Sequence, residues 1–188
     1  MIDEALVFIN SVLDQHLKHR FSVEGNASIL NNLTEADGSE PQVNQNKVVL
    51  TLINLEHETA KQYYGGQYRS GSKINKTNSA IHFNLDLLVT ANFDRYDEAL
   101  KFLTASISYF QANNSFNPNT FPMIPSGLAM LNFEVENSPY EKTHNLWSAL
   151  SAKYRPSIIY KIRHITVQTG QIKSSSKIVS GVKSSVTP

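Results

Sequence analysis

The run Leu146–Val167, LWSALSAKYRPSIIYKIRHITV, constrains this chain more than any other, because its period changes from helix to strand within a few residues, with a proline at the change. Just upstream, Ser138 precedes Pro139, and Glu141 follows three residues after the serine. That order predicts a helix start in which Ser138 caps, Glu141 reaches back to its amide and the missing N–H of Pro139 does no harm. Thr143, Leu146, Trp147, Leu150 and Tyr154 then recur at helical spacing, which places Trp147 and Leu150 in the core. Pro156 disfavours helical geometry at Arg155 and is expected to end the run. Ser157–Val167, with Ile158, Ile159, Tyr160, Ile162, Ile165 and Val167, reads as a strand rich in β-branched and aromatic residues. Its apolar positions begin even and finish odd, so the strand has a bulge or is covered on both faces.

The other segments supply partners for that strand. Ile2, Ala5, Leu6, Ile9, Val12, Leu13 and Leu17 keep helical spacing and end at Lys18, His19 and Arg20, where cations suit a helix C-terminus. Residues 21–46 turn polar and imply only short strands or loop. Lys47–Leu55, KVVLTLINL, is apolar on both faces and predicts an interior strand. Residues 56–79 form a long polar connection with flexible turns, whose Tyr63, Tyr64 and Arg69 are candidate contacts for a partner. Ile81, Phe83, Leu85, Leu87, Val89 and Ala91 alternate with polar residues, which puts Phe83, Leu85 and Leu87 on a core face; only Leu88 breaks the polar side. Asp94 is placed to cap a helix whose stripe is Tyr96, Ala99, Leu100, Leu103, Ile107 and Phe110. Residues 113–125, with three prolines, are expected to be irregular, and Ala129, Leu131, Phe133 and Val135 alternate once more. Strands and helices in this mixed order define an α+β class: a mixed or antiparallel sheet packed with amphipathic helices.

With 188 residues and 40% hydrophobic composition, the chain suffices for one domain that buries roughly 70% of its unfolded surface. That domain is expected over 1–167, with 168–188 as a flexible basic tail. The chain has no cysteine, and its first residues are acidic before they are apolar, unlike a secretory leader. No run reaches the ~18 apolar residues of a membrane span, so direct membrane insertion is not expected. Synthesis in the cytoplasm is the simplest reading. Of 17 basic residues, seven lie in Lys153–Pro188, and all 16 acidic ones precede them. Arg155, Lys161, Arg163, Lys173, Lys177 and Lys183 are thereby candidate contacts for an acidic partner or a neighbouring copy.

Signs of chemistry are few. His57-Glu58 opens an H-E-x-x string, but Lys61 stands where a zinc helix needs its second histidine. There is no nucleophile elbow, phosphate loop or dinucleotide fingerprint. No catalytic residue, metal or cofactor is expected. The aromatics among the C-terminal cations resemble a nucleic-acid surface, yet Tyr160 and Ile162 are claimed by packing and the remaining domain is acidic, so no nucleic-acid partner is expected. The residues alone support an interaction protein: a structural subunit, or alternatively a non-catalytic binding adaptor.

Three long segments narrow this. INLEHE (Ile53–Glu58), FNLDLLVTANFDRYDEALKFLTASISYFQANNSF (Phe83–Phe116) and LWSALSAKYRPSIIYKIRHI (Leu146–Ile165) together resemble the cap, or tail-terminator, proteins of extracellular contractile injection systems of the antifeeding-prophage type. The resemblance covers nearly all of Ile2–Val167; longer members add a C-terminal region, whereas about twenty residues follow Val167 here. It implies the α+β terminator fold of contractile phage tails and a hexameric ring of the chain with itself, which closes the inner tube and anchors the last ring of sheath. It implies too that the chain belongs to a phage tail-like particle, released from or retained by the cell. Sheath subunits of such tails are joined by exchanged strands, so the tail, through Lys173, Lys177 and Lys183, is expected to add to the sheet edge of sheath or an adjacent subunit.

Overall fold

The computed structural model describes residues 1–59, 67–70, 73–77, 81–167 and 172–177, with 67–77, 164, 166–167 and 172–177 described by backbone alone where they are described. Helix α1 spans Ile2–Phe21, α2 Tyr96–Ala112 and α3 Tyr140–Ala149. The strands are β1 Ser28–Leu30, β2 Lys47–His57, β3 Gln67–Ser70, β4 Lys73–Thr77, β5 Ile81–Asn92, β6 Ser115–Phe116, β7 Leu131–Val135, β8 Ser157–Val167 and β9 Ile172–Lys177. Six of them form a sheet in the order β1-β2-β5-β8-β7-β6, antiparallel except for β1–β2, and β3-β4-β9 form a smaller antiparallel sheet. This is an α+β fold.

Both faces of the large sheet are covered, unequally. On one face α1 and α2 lie over Val48, Leu50, Leu85, Leu87, Val89, Tyr160, Ile162 and Ile165, contributing Ile9, Leu13, Leu17, Phe102 and Phe110. On the other, Trp147 of α3 packs with Leu33, Val49 and Leu88, backed by Ile53, Leu150 and Ile159. Leu88, the one apolar residue on the polar side of β5, is thus the place where α3 sits. Leu85 and Leu87 are fully buried, Trp147 is nearly so, and Phe83 and Leu150 are half-buried.

The face change along β8 is a bulge: Leu85 pairs with Ile162, but Phe83 pairs with Ile165, so one extra residue of β8 is taken up between them. Tyr160 and Ile162 before it and Ile165 after it therefore reach the same core. A second irregularity in β2, between Leu52 and Asn54, leaves Ile53 with Val49 in the α3 cluster and brings Asn54 onto that same face, opposite Asp86.

Five expectations need correction. Ser138 does not cap α3, whose N-cap is Pro139 without a side-chain hydrogen bond. The helix also ends at Ala149, well before Pro156: Ser151 has φ 51°, and the Leu150 carbonyl accepts from the Thr34 hydroxyl at 3.1 Å, which turns the chain towards β8. Asp94 does not cap α2. Its carboxylate accepts from Gln45 Nε2 at 3.1 Å and its amide donates to Asn46 Oδ1 at 3.1 Å, so it ties the helix start to the turn before β2. Within the expected featureless connection, Gln67–Ser70 and Lys73–Thr77 pair as antiparallel strands, and Ile172–Lys177 of the expected tail pairs with β4 of its own chain. Tyr63, Tyr64 and Lys183 lie outside the described residues.

Candidate assembly surface

Helix α3 is short and covers only part of its face of the sheet. Where that apolar cover stops, the alternation of four neighbouring strands brings their polar residues into line. Register places Asn54 of β2 beside Asp86 of β5, Asp86 beside Lys161 of β8, and Lys161 beside Glu134 of β7. Since side chains on one face recur every second residue, Glu56 follows Asn54 onto the same face. The residue after β7, Glu136, closes the group from the other side.

Lys161 is the hub. Its Nζ lies 2.9 Å from Glu56, 3.8 Å from Asp86 and 3.9 Å from Glu136. The side chain is only 15% exposed. The hydrogen bond to Glu56 raises its pKa above the ordinary lysine value, burial opposes this, and the charges of Asp86, Glu56 and Glu136 reinforce it. Asp86 Oδ2 accepts from Asn54 Nδ2 at 3.0 Å, whereas Asp86 Oδ1 is buried without a hydrogen bond. Lys142 of α3 reaches Glu136 at 3.8 Å. Around this group opens a cavity of about 430 Å³, lined by Asn54, Glu56, Asp86, Glu136, Lys142 and Leu146 among others. Next to it, Arg163 Nε donates to Glu134 Oε2 at 2.8 Å.

The candidate contacts named from sequence are therefore dispersed. Lys161 and Arg163 come together on this face. Arg155 sits before β8, where it donates to the Phe93 carbonyl at 3.4 Å and pairs with Glu40 at 3.3 Å; its role there is to hold loops together. Arg69, Lys173 and Lys177 stand in the strands of the small sheet, with Lys177 directly opposite Lys73. Sequence reasoning missed Glu56, Asp86 and Glu136 as a group, although the clean alternation of 81–91 and 129–136 had already put Asp86, Glu134 and Glu136 on the polar side. Among the described residues, no three metal-ligating side chains stand close enough to hold an ion, and no helix is long and apolar enough to cross a membrane.

This mixed sheet with two helices on one face and a short third on the other is a known architecture. The family model for the Pvc16 N-terminal domain matches residues 6–181, and the chain belongs to that family. Two solved structures share the fold over 96% of the chain. One is the PVC sheath/tube terminator of an extracellular contractile injection system in its extended state, at 15% identity and TM-score 0.61. The other is the anti-feeding prophage cap, the AFP tube terminating cap, at 12% identity and TM-score 0.62. The chain spans 63% and 61% of their lengths. No curated protein matches it.

Proposed function

We propose that this protein is a structural cap of a contractile injection system: copies of the chain form a ring, six in number, that closes the inner tube and anchors the last ring of sheath. The observation that carries the reading is the agreement between family and fold, since a Pvc16 N-terminal domain match and a likeness to two terminators run over nearly the same residues. The physics of the role is consistent with it. A ring that ends a polymer needs a heterologous lateral surface, a second surface for the tube, and none on which another layer could add. A sheet face half covered by its own helix supplies one such surface without exposing a large apolar patch. No turnover is required of any residue. In this reading the basic tail, residues 168–188 with Lys173, Lys177 and Lys183, adds to the sheet edge of sheath or of an adjacent cap subunit.

The test is assembly. Mass measurement in solution and particle images of the purified chain, alone and with tube protein, are expected to show closed rings seated on tube ends. A chain that stays monomeric and ignores assembled tubes would leave the freestanding adaptor as the better description.

A further inference from the structure

Strand β2 is paired with β5 along its length but has a partner on its other side only at its start. There β1 meets it at Val48, Val49 and Leu50, and over residues 52–57 no described strand pairs with that side. The main chain shows which groups this leaves open. The Val48 amide donates to the Ala27 carbonyl and the Leu50 carbonyl accepts from the Asn31 amide, both on the β1 side, whereas the Glu58 amide donates to the His82 carbonyl on the β5 side. Counting alternately from these fixed points, with the irregularity between Leu52 and Asn54 taking up one residue, the N–H and C=O of Leu52, Leu55 and His57 turn to the open side. The side chains there lack cover as well. Leu52 stands beside Leu87 and Leu55 beside Leu85, yet Leu85 and Leu87 are fully buried while Leu52 is 36% and Leu55 43% exposed. Edge strands are ordinarily blunted by lysine, proline or a bulge; after its bulge this one runs on through residues 54–57 with neither lysine nor proline.

Strand β8 repeats this on the far side of β5. Its pairing with β7 runs from Tyr160 to Arg163, and beyond Arg163 its only described partner is β5. The strands of the small sheet pair only with one another, so among the described residues they close neither edge. Strands β2 and β8 are both antiparallel to β5 and therefore run in the same direction. We propose that the open edge of β2, residues 52–57, pairs with the open edge of β8, residues 164–167, of a neighbouring copy of this chain, so that the central strands of successive copies join into one sheet around the ring. The inference rests on the ring reading above and gives that ring its lateral contact. The two edges differ, so joining one to the other runs head to tail, which is the kind of contact that closes rings. The small turn between successive copies of a ring does not reverse a strand, so the junction is parallel, as β1 against β2 already is within the chain. Main-chain hydrogen bonds supply the attachment, and the incoming strand covers Leu52 and Leu55. Pairing of β2 with β2 would cover them too, but it would stop at a dimer and leave β8 open.

The chain has no cysteine, so a disulfide placed across the junction reports on it alone. Paired strands lie about 4.8 Å apart, within the ~4.4–6.8 Å between Cα atoms that a disulfide spans. In the full-length chain, Leu55→Cys is combined with His164→Cys or with Thr166→Cys, and assembled rings are oxidised, with tube protein present if assembly needs it. At least one combination is expected to give a ladder of covalent multimers that ends at the ring number, whereas Leu55→Cys alone is expected to stay monomeric under denaturing conditions. A main-chain contact has a second signature. Leu55→Pro removes one outward N–H and no hydrogen bond to β5, so it is expected to raise the concentration for half-assembly about tenfold more than Leu55→Ala, which loses the same side chain. Thermal unfolding checks that each monomer is intact, and the crosslink decides even where the proline variant does not fold. Dimers from Leu55→Cys alone would show β2 pairing with β2, and normal rings without multimers from either combination would put the lateral contact elsewhere. Either result overturns the proposal, as do equal effects of proline and alanine in intact monomers, while the cap reading stands as long as unaltered rings seat on tubes. An unaltered chain that forms no ring with or without tube would remove the cap reading, and this contact with it.

Discussion

The two faces of the large sheet are made by the same strands and have opposite characters. The α1–α2 face is aromatic and apolar. Phe110 stacks on Phe133 at 4.7 Å and meets Tyr160 at 5.1 Å, and Phe116 joins them through Phe133 at 5.4 Å. Burial there pushes the Tyr160 phenol up to about 12, as expected of a hydroxyl held among hydrocarbon rings. The α3 face has a small cluster around Trp147 and then gives way to ionised rows. Strict alternation permits this division of labour: one face can hold the fold together while the other varies its surface without disturbing the core.

The sharpest break of the comparison is truncation of one large aromatic on each face. Phe110→Ala should cost about 4–5 kcal/mol, because its ring is fully buried between rings that cannot collapse into the space. Trp147→Ala should cost about 3 kcal/mol, the lower end for such a loss, because α3 covers a smaller cluster that can settle onto the sheet. Denaturant unfolding of both variants measures the difference. The indole Nε1 of Trp147 is buried without a hydrogen-bond partner, so Trp147→Phe should recover most of the loss. If Trp147→Ala equals or exceeds Phe110→Ala, the faces do not differ as described.

What the sequence made legible follows the same division. Strands covered on both faces were readable: Ser157–Val167 is a strand over those bounds, and its shift of apolar phase is a real bulge, because periodicity records which way each side chain must face. Caps were not. Asp94 and Ser138 have the residue type and the place, but tertiary partners claim the first and Pro139 takes the second position. Asp14 shows the converse. In sequence it is one acid on a helix, yet it is buried and accepts from the amides of Ala27 at 2.8 Å and Ser28 at 3.0 Å, which fastens β1 to α1. The candidate surface was half legible for a related reason. Lys161 and Arg163 stand out in an acid-free stretch, while the carboxylates that give Lys161 its setting come from three separated segments that only strand register brings together.

A smaller effect tests the polar side. Lys161→Met keeps the stem and removes the charge, which leaves three carboxylates without their hub. At 15% exposure the loss should be about 1–2 kcal/mol, reduced from a fully buried pair by solvent screening. The pH dependence has a definite sign. A lysine whose folded pKa is raised contributes stability that is fully present below its unfolded value and is lost as pH rises through the folded value. Unaltered protein should therefore lose this contribution above pH ~10.5, and Lys161→Met should show none of that loss. Identical alkaline unfolding of the two proteins would show that Lys161 gains nothing from Glu56.

The smallest effect belongs to charges outside both faces. At the start of α2, Asp97 accepts from Arg95 at 2.9 Å and lies 3.5 Å from Lys101, with all three side chains at least half exposed. The hydrogen bond from Arg95 lowers the Asp97 pKa, so whatever stability the pair confers is present above the ordinary aspartate value and is lost as pH falls through the lowered one. Water and salt screen such a pair, and ordering two long side chains offsets much of its attraction. Asp97→Asn should accordingly leave the melting temperature unchanged at neutral pH and at every salt concentration. A clear drop that disappears in high salt would mean that this helix start carries electrostatic weight comparable to the Lys161 rows, and the contrast between an ionised sheet face and an inert periphery would have to be redrawn.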